Sequence, residues 1–306
     1  MVTATKTTDK PPATNAAATS TTARSGAVLR LLGTHWETPS LDGAGWVETP
    51  FDLDPKETGF VALHLWNVGD AGGPPVPDRF FVDMGTRECQ LESVRIADRY
   101  IAPAIAASRE AGMPVFHVEP PSIALQYDSA RYLLEAEELE PRRAKAGPER
   151  PLEANPGWIR ERAERSHGRR YMEWEGWEPG RMRILASCDA EPGDQVVVTG
   201  RQFDRILREG GIKNLVYTGF ATNMCILQSA AATQEMLRYG YRIFLIREAT
   251  LAVEYPDTFA ERLMTRAALK YFELKVGDTI GFDPYLAACR AIAGAGRPVR
   301  PSAAQS

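Results

Sequence analysis

The sequence predicts a three-layer α/β fold in which a mainly parallel sheet is flanked by helices, and three observations carry that expectation. Short apolar runs recur along the chain, FVALHLW at 60–66, LVYT at 215–218 and YRIFLI at 241–246, with the length and composition of strands buried on both faces. Segments with apolar residues at helical spacing lie between them. Glycine then closes two of these helices just before a strand, Gly112 ahead of Pro114–Val118 and Gly240 ahead of Tyr241, which is the helix–Gly–strand order of a βαβ unit.

In chain order, residues 1–26 are rich in Thr, Ala, Lys and Pro and hold almost no large apolar side chain, so they cannot offset the entropy of ordering. Disordered tails are expected there and over 294–306, leaving one domain at 27–293. Between Ala27 and Lys56, apolar residues including Trp36 and Trp46 alternate with turn signals and suggest an arm packed on the domain or on a partner subunit. Phe60–Trp66 reads as the first buried strand and Cys89–Arg109 as a helix with Val94, Ala97, Ile101, Ile105 and Ala106 on one side. Pro114–Val118 follows as the second strand. From 120 to 192 the pattern is irregular, with a charged stretch at Glu135–Arg150 and tryptophans at 158, 174 and 177. The order then resumes: strand Gln195–Val198, helix Phe203–Glu209, strand Leu215–Thr218, helix Cys225–Tyr239, strand Tyr241–Ile246, helix Thr258–Phe272, a short edge strand at Val276–Ile280 and a last helix at Pro284–Ala293.

Bulk properties narrow the function. With 44% hydrophobic and 25% charged residues over 306 positions, the chain can bury a sizeable core. A net charge of −4 gives no electrostatic reason to expect nucleic acid or anionic lipid as a partner. The one dense basic stretch, Arg160–Arg170, is interleaved with Glu161 and Glu164 and reads as a solvated helix face. No apolar run approaches the roughly 20 residues that cross a bilayer. Cys89, Cys188, Cys225 and Cys289 form no C-x-x-C pair, so neither a zinc site nor a disulfide framework is expected, and a reducing cytoplasm fits best.

The chemistry-bearing stretch is Leu215–Ser229, LVYTGFATNMCILQS. A buried strand turns through Gly219, Ala221 and Thr222 toward a helix containing Cys225. A cysteine near a helix N-terminus meets the positive end of the macrodipole and unpaired N–H groups, which favour the nucleophilic thiolate and offer donors to an oxyanion. The alternative is a small buried hydrophobe on a core helix. Both readings stand on the residues alone.

Taken with the preceding Lys213–Tyr217 and the following Gly240–Ile246, the run Thr218–Cys225 resembles the nucleophile region of the isochorismatase-like cysteine hydrolases, a family that includes nicotinamidases, carbamoylsarcosine amidases and ureidoacrylate hydrolases. The resemblance extends over roughly Gly59 to Ala288. It implies a Rossmann-like fold, a small-molecule substrate and hydrolysis of a C–N bond, either amide or ureido, through a thiolate. Homo-oligomers are common among such proteins, so one is expected here. Members usually cross the 120–192 interval in fewer residues, which implies an insertion, read either as a lid or as a surface excursion or subunit contact.

The resemblance also implies a triad: Asp after the first strand to take the thiol proton, Lys after the third to balance charge, and the Cys. Only Cys225 matches. His64 stands at the Asp position, either as a core histidine or as the base of a Cys–His pair, since a neutral imidazole accepts a proton from a thiol. Asp70 lies six residues on, beyond the strand. Thr199 stands at the Lys position, and Arg201, two residues later, can stabilise a thiolate or bind a carboxylate but is too basic to exchange protons. A non-proline cis peptide between Phe220 and Ala221 is implied, aiming the N–H groups of Ala221 and Cys225 at one point as an oxyanion hole. The Asp and His metal cluster that nicotinamidases carry after the first strand is not visible, so no metal and no cofactor are expected. Against the hydrolase stands a catalytically silent member of the same family, kept for binding or assembly.

Overall fold

A computed structural model describes residues 27–77, 85–133, 157–168 and 173–295. The expected tails at 1–26 and beyond 295, and the charged Glu135–Arg150 stretch, lie outside them.

Eight strands form one sheet: β1 (Leu29–Glu37), β2 (Gly45–Leu53), β3 (Thr58–Leu63), β4 (Val115–Val118), β5 (Gln195–Val197), β6 (Asn214–Phe220), β7 (Arg242–Leu251) and β8 (Asp278–Ile280), in the order β2-β1-β8-β7-β6-β3-β4-β5. The six strands from β8 to β5 pair in parallel, as the buried apolar runs predict. The segment expected as an arm is an antiparallel hairpin, β1 with β2, and β1 lies antiparallel beside β8. The predicted edge strand at 276–280 is therefore not an edge. His35 of β1 lies 2.7 Å from the Asp278 carboxylate, and Arg247 donates to Thr34 and Thr279, fastening the hairpin to the sheet.

Helices cover both faces. Along β3, Phe60 and Ala62 point into one core with Ile101, Ile105, Tyr285 and Cys289, while Val61 and Leu63 point into the other with Phe203, Leu207, Met236 and Phe272. This alternation is the two-residue period of a strand buried on both sides. The first core is roofed by α1 (Arg87–Ile96), α2 (Ala102–Glu110) and the C-terminal helix Phe282–Ala295. α1 and α2 form the single predicted helix, with a π turn at Ala97–Ile101. The cause is Pro103, whose missing N–H breaks the regular ladder. Among the described residues no helix is long and apolar enough to cross a membrane.

The described parts of the 120–192 interval hold short helices at Pro121–Ala124, Asp128–Leu133 and Trp158–His167. Its far end returns to the site. Trp66 pairs with Ile184 in an antiparallel bridge, Leu185 N–H donates to the Leu65 carbonyl at 2.7 Å, and the Asn67 side chain accepts from Arg183 N–H at 2.9 Å.

Candidate active site

The site lies beyond the C-terminal ends of β3 and β6, which run side by side with Leu63 opposite Gly219. After β6 the peptide bond between Phe220 and Ala221 is cis, as expected. The loop that follows is stapled to β7: Thr222 N–H donates to the Leu251 carbonyl at 3.0 Å, and its hydroxyl lies 2.7 Å from that of Thr250. Thr250 in turn donates to the Gly219 carbonyl at 2.8 Å, and the Asn223 side chain accepts from Val253 N–H at 2.9 Å. Thr222 and Asn223 of the motif thus set the loop's path, and Cys225 stands half-buried at its end.

The single helix expected from Cys225 to Tyr239 is two pieces, Cys225–Gln228 and Thr233–Tyr239. Local side chains take the backbone groups a continuous helix would use. Ser229 Oγ donates to the Cys225 carbonyl and Thr233 Oγ1 to the Ile226 carbonyl, while Ala231, at φ 57°, donates its N–H to Glu235 and accepts from the Tyr217 hydroxyl. A helix of four residues has little macrodipole, so the long-helix argument for an activated thiol is corrected here. What surrounds the thiol is the stapled loop and the cleft it faces.

That cleft is lined by His64, Trp66, Gln90, Ser93, Phe220, Ala221 and Cys225, and it encloses about 20 Å³, room for about one water. His64 follows β3 directly, its N–H donating to the Val118 carbonyl at 3.0 Å, with φ at 52° turning the chain out of the sheet. Its ring stacks on Trp66 with centroids 5.3 Å apart and planes 25° from parallel. Burial lowers its pKa to about 4, so the imidazole is neutral at pH 7. Its Nδ1 is buried without a hydrogen-bond partner among the described residues.

The other predicted residues do not gather here. Thr199 is the N-cap of the helix Gly200–Glu209, accepting from Gln202 N–H in a reciprocal capping box. Arg201 sits exposed on the first turn of that helix and is not among the cleft-lining residues. Asp70 belongs to a tight turn, its N–H donating to the Asn67 carbonyl and its carbonyl accepting from Gly73 N–H, and it does not line the cleft either.

Residues absent from the sequence reading complete the walls. Gln90 and Ser93 line the cleft as polar groups, with Gln90 donating to the Val68 carbonyl and to Ser93 Oγ. Behind Trp66 lies Glu119, buried at 1% exposure, accepting from Leu65 N–H at 3.0 Å and from the Trp66 indole at 2.9 Å. Burial raises its pKa to about 8, although those two bonds pull it down. The signal for Glu119 was its position at the end of a parallel strand, where such sheets collect functional side chains. Among the described residues no group of three or more His, Cys, Asp or Glu could hold a metal ion.

Comparison with known proteins gives a consistent set of likenesses. A family model described as an isochorismatase domain matches residues 195–279, from β5 to the penultimate residue of β8. The chain is 27% identical over 208 residues to a ureidoacrylate amidohydrolase of Pseudomonas syringae pv. syringae (strain B728a), covering 63% of this chain and 69% of that protein. It is 37% identical over 86 residues to a ureidoacrylate amidohydrolase of Azorhizobium caulinodans, covering 24% of this chain and 34% of that one. Among solved structures, a cysteine hydrolase from Pseudomonas syringae pv. phaseolicola 1448A is similar at 12% identity and a TM-score of 0.48, over 78% of this chain and 95% of its own.

Proposed function

We propose that this chain is an isochorismatase-like cysteine hydrolase and that it hydrolyses a C–N bond, amide or ureido, in a small molecule through the Cys225 thiolate. The observation that carries this reading is that His64, with a buried and unpartnered Nδ1, lines the same cleft as Cys225. A buried polar atom left unpaired costs about 1–3 kcal/mol, and a group that will meet a substrate or a transferred proton has reason to keep it.

The steps follow from these residues. Neutral His64 takes the thiol proton as Cys225 Sγ bonds to the substrate carbonyl carbon. The resulting oxyanion is met by the N–H groups of Ala221 and Cys225. As the tetrahedral species collapses, the C–N bond breaks and the leaving nitrogen takes the proton from His64. Water then adds to the thioester, with the imidazole as base, and releases the acid and the free thiol.

A second reading, a member retained for binding, is favoured by one observation. The position of the family's Lys is filled by Thr199, which caps a helix, and Arg201 is outside the cleft. His64 meets this objection in part, because a neutral base needs no cation to balance it, whereas a carboxylate does.

The test is ammonia release from a panel of small amides and ureides that includes ureidoacrylate, the substrate in the names of the relatives above. The hydrolase reading expects turnover of at least one compound and its loss in Cys225→Ala. No release from any compound, or equal release by Cys225→Ala, sinks it. A reducing cytoplasm and homo-oligomeric assembly go with the reading. The wide sequence spacing of Cys89, Cys188, Cys225 and Cys289 supports the first, and light scattering on the purified protein tests the second.

A further inference from the structure

We propose that Glu119 is a positioning residue of the Cys225 site, holding His64 and the Trp66 wall in place from behind. The proposal rests on the hydrolase reading for its kinetic arm and on the structure alone for its labelling arm.

Glu119 directly follows β4, and its N–H donates to the Val197 carbonyl at 3.1 Å, so its main chain is fixed in sheet register. Its side chain crosses toward the end of the neighbouring strand β3. There one oxygen accepts the Leu65 N–H and the other the Trp66 indole N–H, at 3.0 and 2.9 Å. Both acceptors are used on the two residues that follow His64.

His64 needs that support. A residue with a side chain at φ 52° occupies a region that favours glycine, and such a conformation persists only where its surroundings enforce it. The surroundings are visible: His64 N–H to Val118, Leu65 N–H to Glu119, and the Leu65 carbonyl receiving Leu185 N–H. Glu119 is the one side chain among these bonds. Through the indole it also fixes the ring on which the His64 imidazole stacks. A single carboxyl therefore sets both the backbone turn and the face that supports the candidate base.

Packing alone does not account for a carboxyl here. A fully buried carboxyl is costly, and an apolar side chain would fill the same space without that penalty. Glu119 does not line the cleft, so it acts through Leu65 and Trp66 and not on the substrate.

The test uses the full chain and three variants, Glu119→Gln, Trp66→Phe and the double variant. Glutamine keeps one acceptor oxygen and turns an amide N–H toward the other donor, so one of the two bonds is lost. Phenylalanine keeps a ring and removes the indole N–H. Cys225 alkylation by iodoacetamide, read by mass spectrometry, should slow about fivefold or more in each single variant. The double variant should be no slower than the slower single one, because with the indole N–H gone the glutamine oxygen is left for Leu65 N–H and only the indole bond is lost. On a substrate the parent turns over, Glu119→Gln should lower kcat about tenfold with KM within about twofold, kcat being counted per folded molecule from near-UV circular dichroism so that a smaller folded fraction is not read as slower turnover. Parent-like alkylation in Glu119→Gln, or losses that multiply in the double variant, overturn the proposal. If Glu119→Gln does not fold, Trp66→Phe alone decides: slowed alkylation supports the link and parent-like alkylation overturns it. Absence of turnover by the parent on every substrate counts against the hydrolase reading and leaves the alkylation arm standing.

Discussion

A Cβ atom added at Gly219 would lie 1.9 Å from the Leu63 carbonyl oxygen, so β3 and β6 meet at their C-terminal ends with no room for a side chain between them. This contact sets the distance between the strand that delivers His64 and the strand that delivers the Cys225 loop. Gly219 also sits at φ 116°, which L side chains rarely adopt. Gly219→Ala should therefore destabilise the protein by more than about 3 kcal/mol or prevent folding, since backbone cannot move aside as a side-chain tip can. Urea unfolding checks this, and a variant of parent stability would mean that the two strand ends are not so closely packed.

The Thr222–Thr250 pair predicts a smaller effect. Both hydroxyls are buried, and Thr250 passes the chain of bonds to the Gly219 carbonyl. Thr222→Val keeps the shape and removes one hydrogen bond while Thr250 retains its bond to Gly219, which costs about 0.5–1.5 kcal/mol. Stability measured by denaturant unfolding should fall by that amount, and Cys225 alkylation should change with it, because the same staple sets the loop.

Thr199 predicts that a lysine at this position, where the resemblance implies one, carries a penalty. Its hydroxyl accepts from Gln202 N–H, and the Gln202 side chain answers to the Thr199 N–H. Thr199→Lys removes that cap and should cost about 0.5–2 kcal/mol in unfolding free energy. Full retention of stability would show that the capping box contributes nothing.

Two buried groups set opposite pH slopes. His64 titrates near 4 in the folded chain against an ordinary 6.5, so the unfolded chain binds more protons in that window and stability falls as pH drops through it. Glu119 titrates near 8 against an ordinary 4.5, so the folded chain binds more protons and stability falls as pH rises from about 4.5 to 8. Unfolding midpoints between pH 6.5 and 8 should decline in the parent and stay flat in Glu119→Gln. A parent with no slope in that range contradicts the burial of an ionisable Glu119.

These predictions divide by how legible their residues were in the sequence. The parallel sheet was legible because buried strands such as β3 and β6 are continuous apolar runs bounded by glycine. The break after Gln228 was not, because Ser229 and Thr233 stop the helix by bonding to its own carbonyls, and neither residue is a strong breaker by type. Strand order placed 276–280 at an edge only while the 27–56 arm had no known partner. Cys225 and His64 fell to a motif and its neighbouring strand. Arg201 missed the cleft because Thr199 starts a helix that carries the arginine into solvent. Glu119 was hidden because its role depends on two N–H groups of residues more than fifty positions earlier.

The central claim, that Cys225 is the reactive thiol and His64 serves it, is tested most directly by iodoacetamide labelling of the folded protein near pH 7 with peptide mass spectrometry. Burial pushes the Cys89, Cys188 and Cys289 thiols up to about 11, 12 and 11, so they should react slowly. The account predicts that Cys225 is alkylated at least about tenfold faster than any of them, and that His64→Ala slows it toward their rate. Labelling of Cys225 at or below the rate of the buried thiols, or labelling that His64→Ala leaves unchanged, would contradict it.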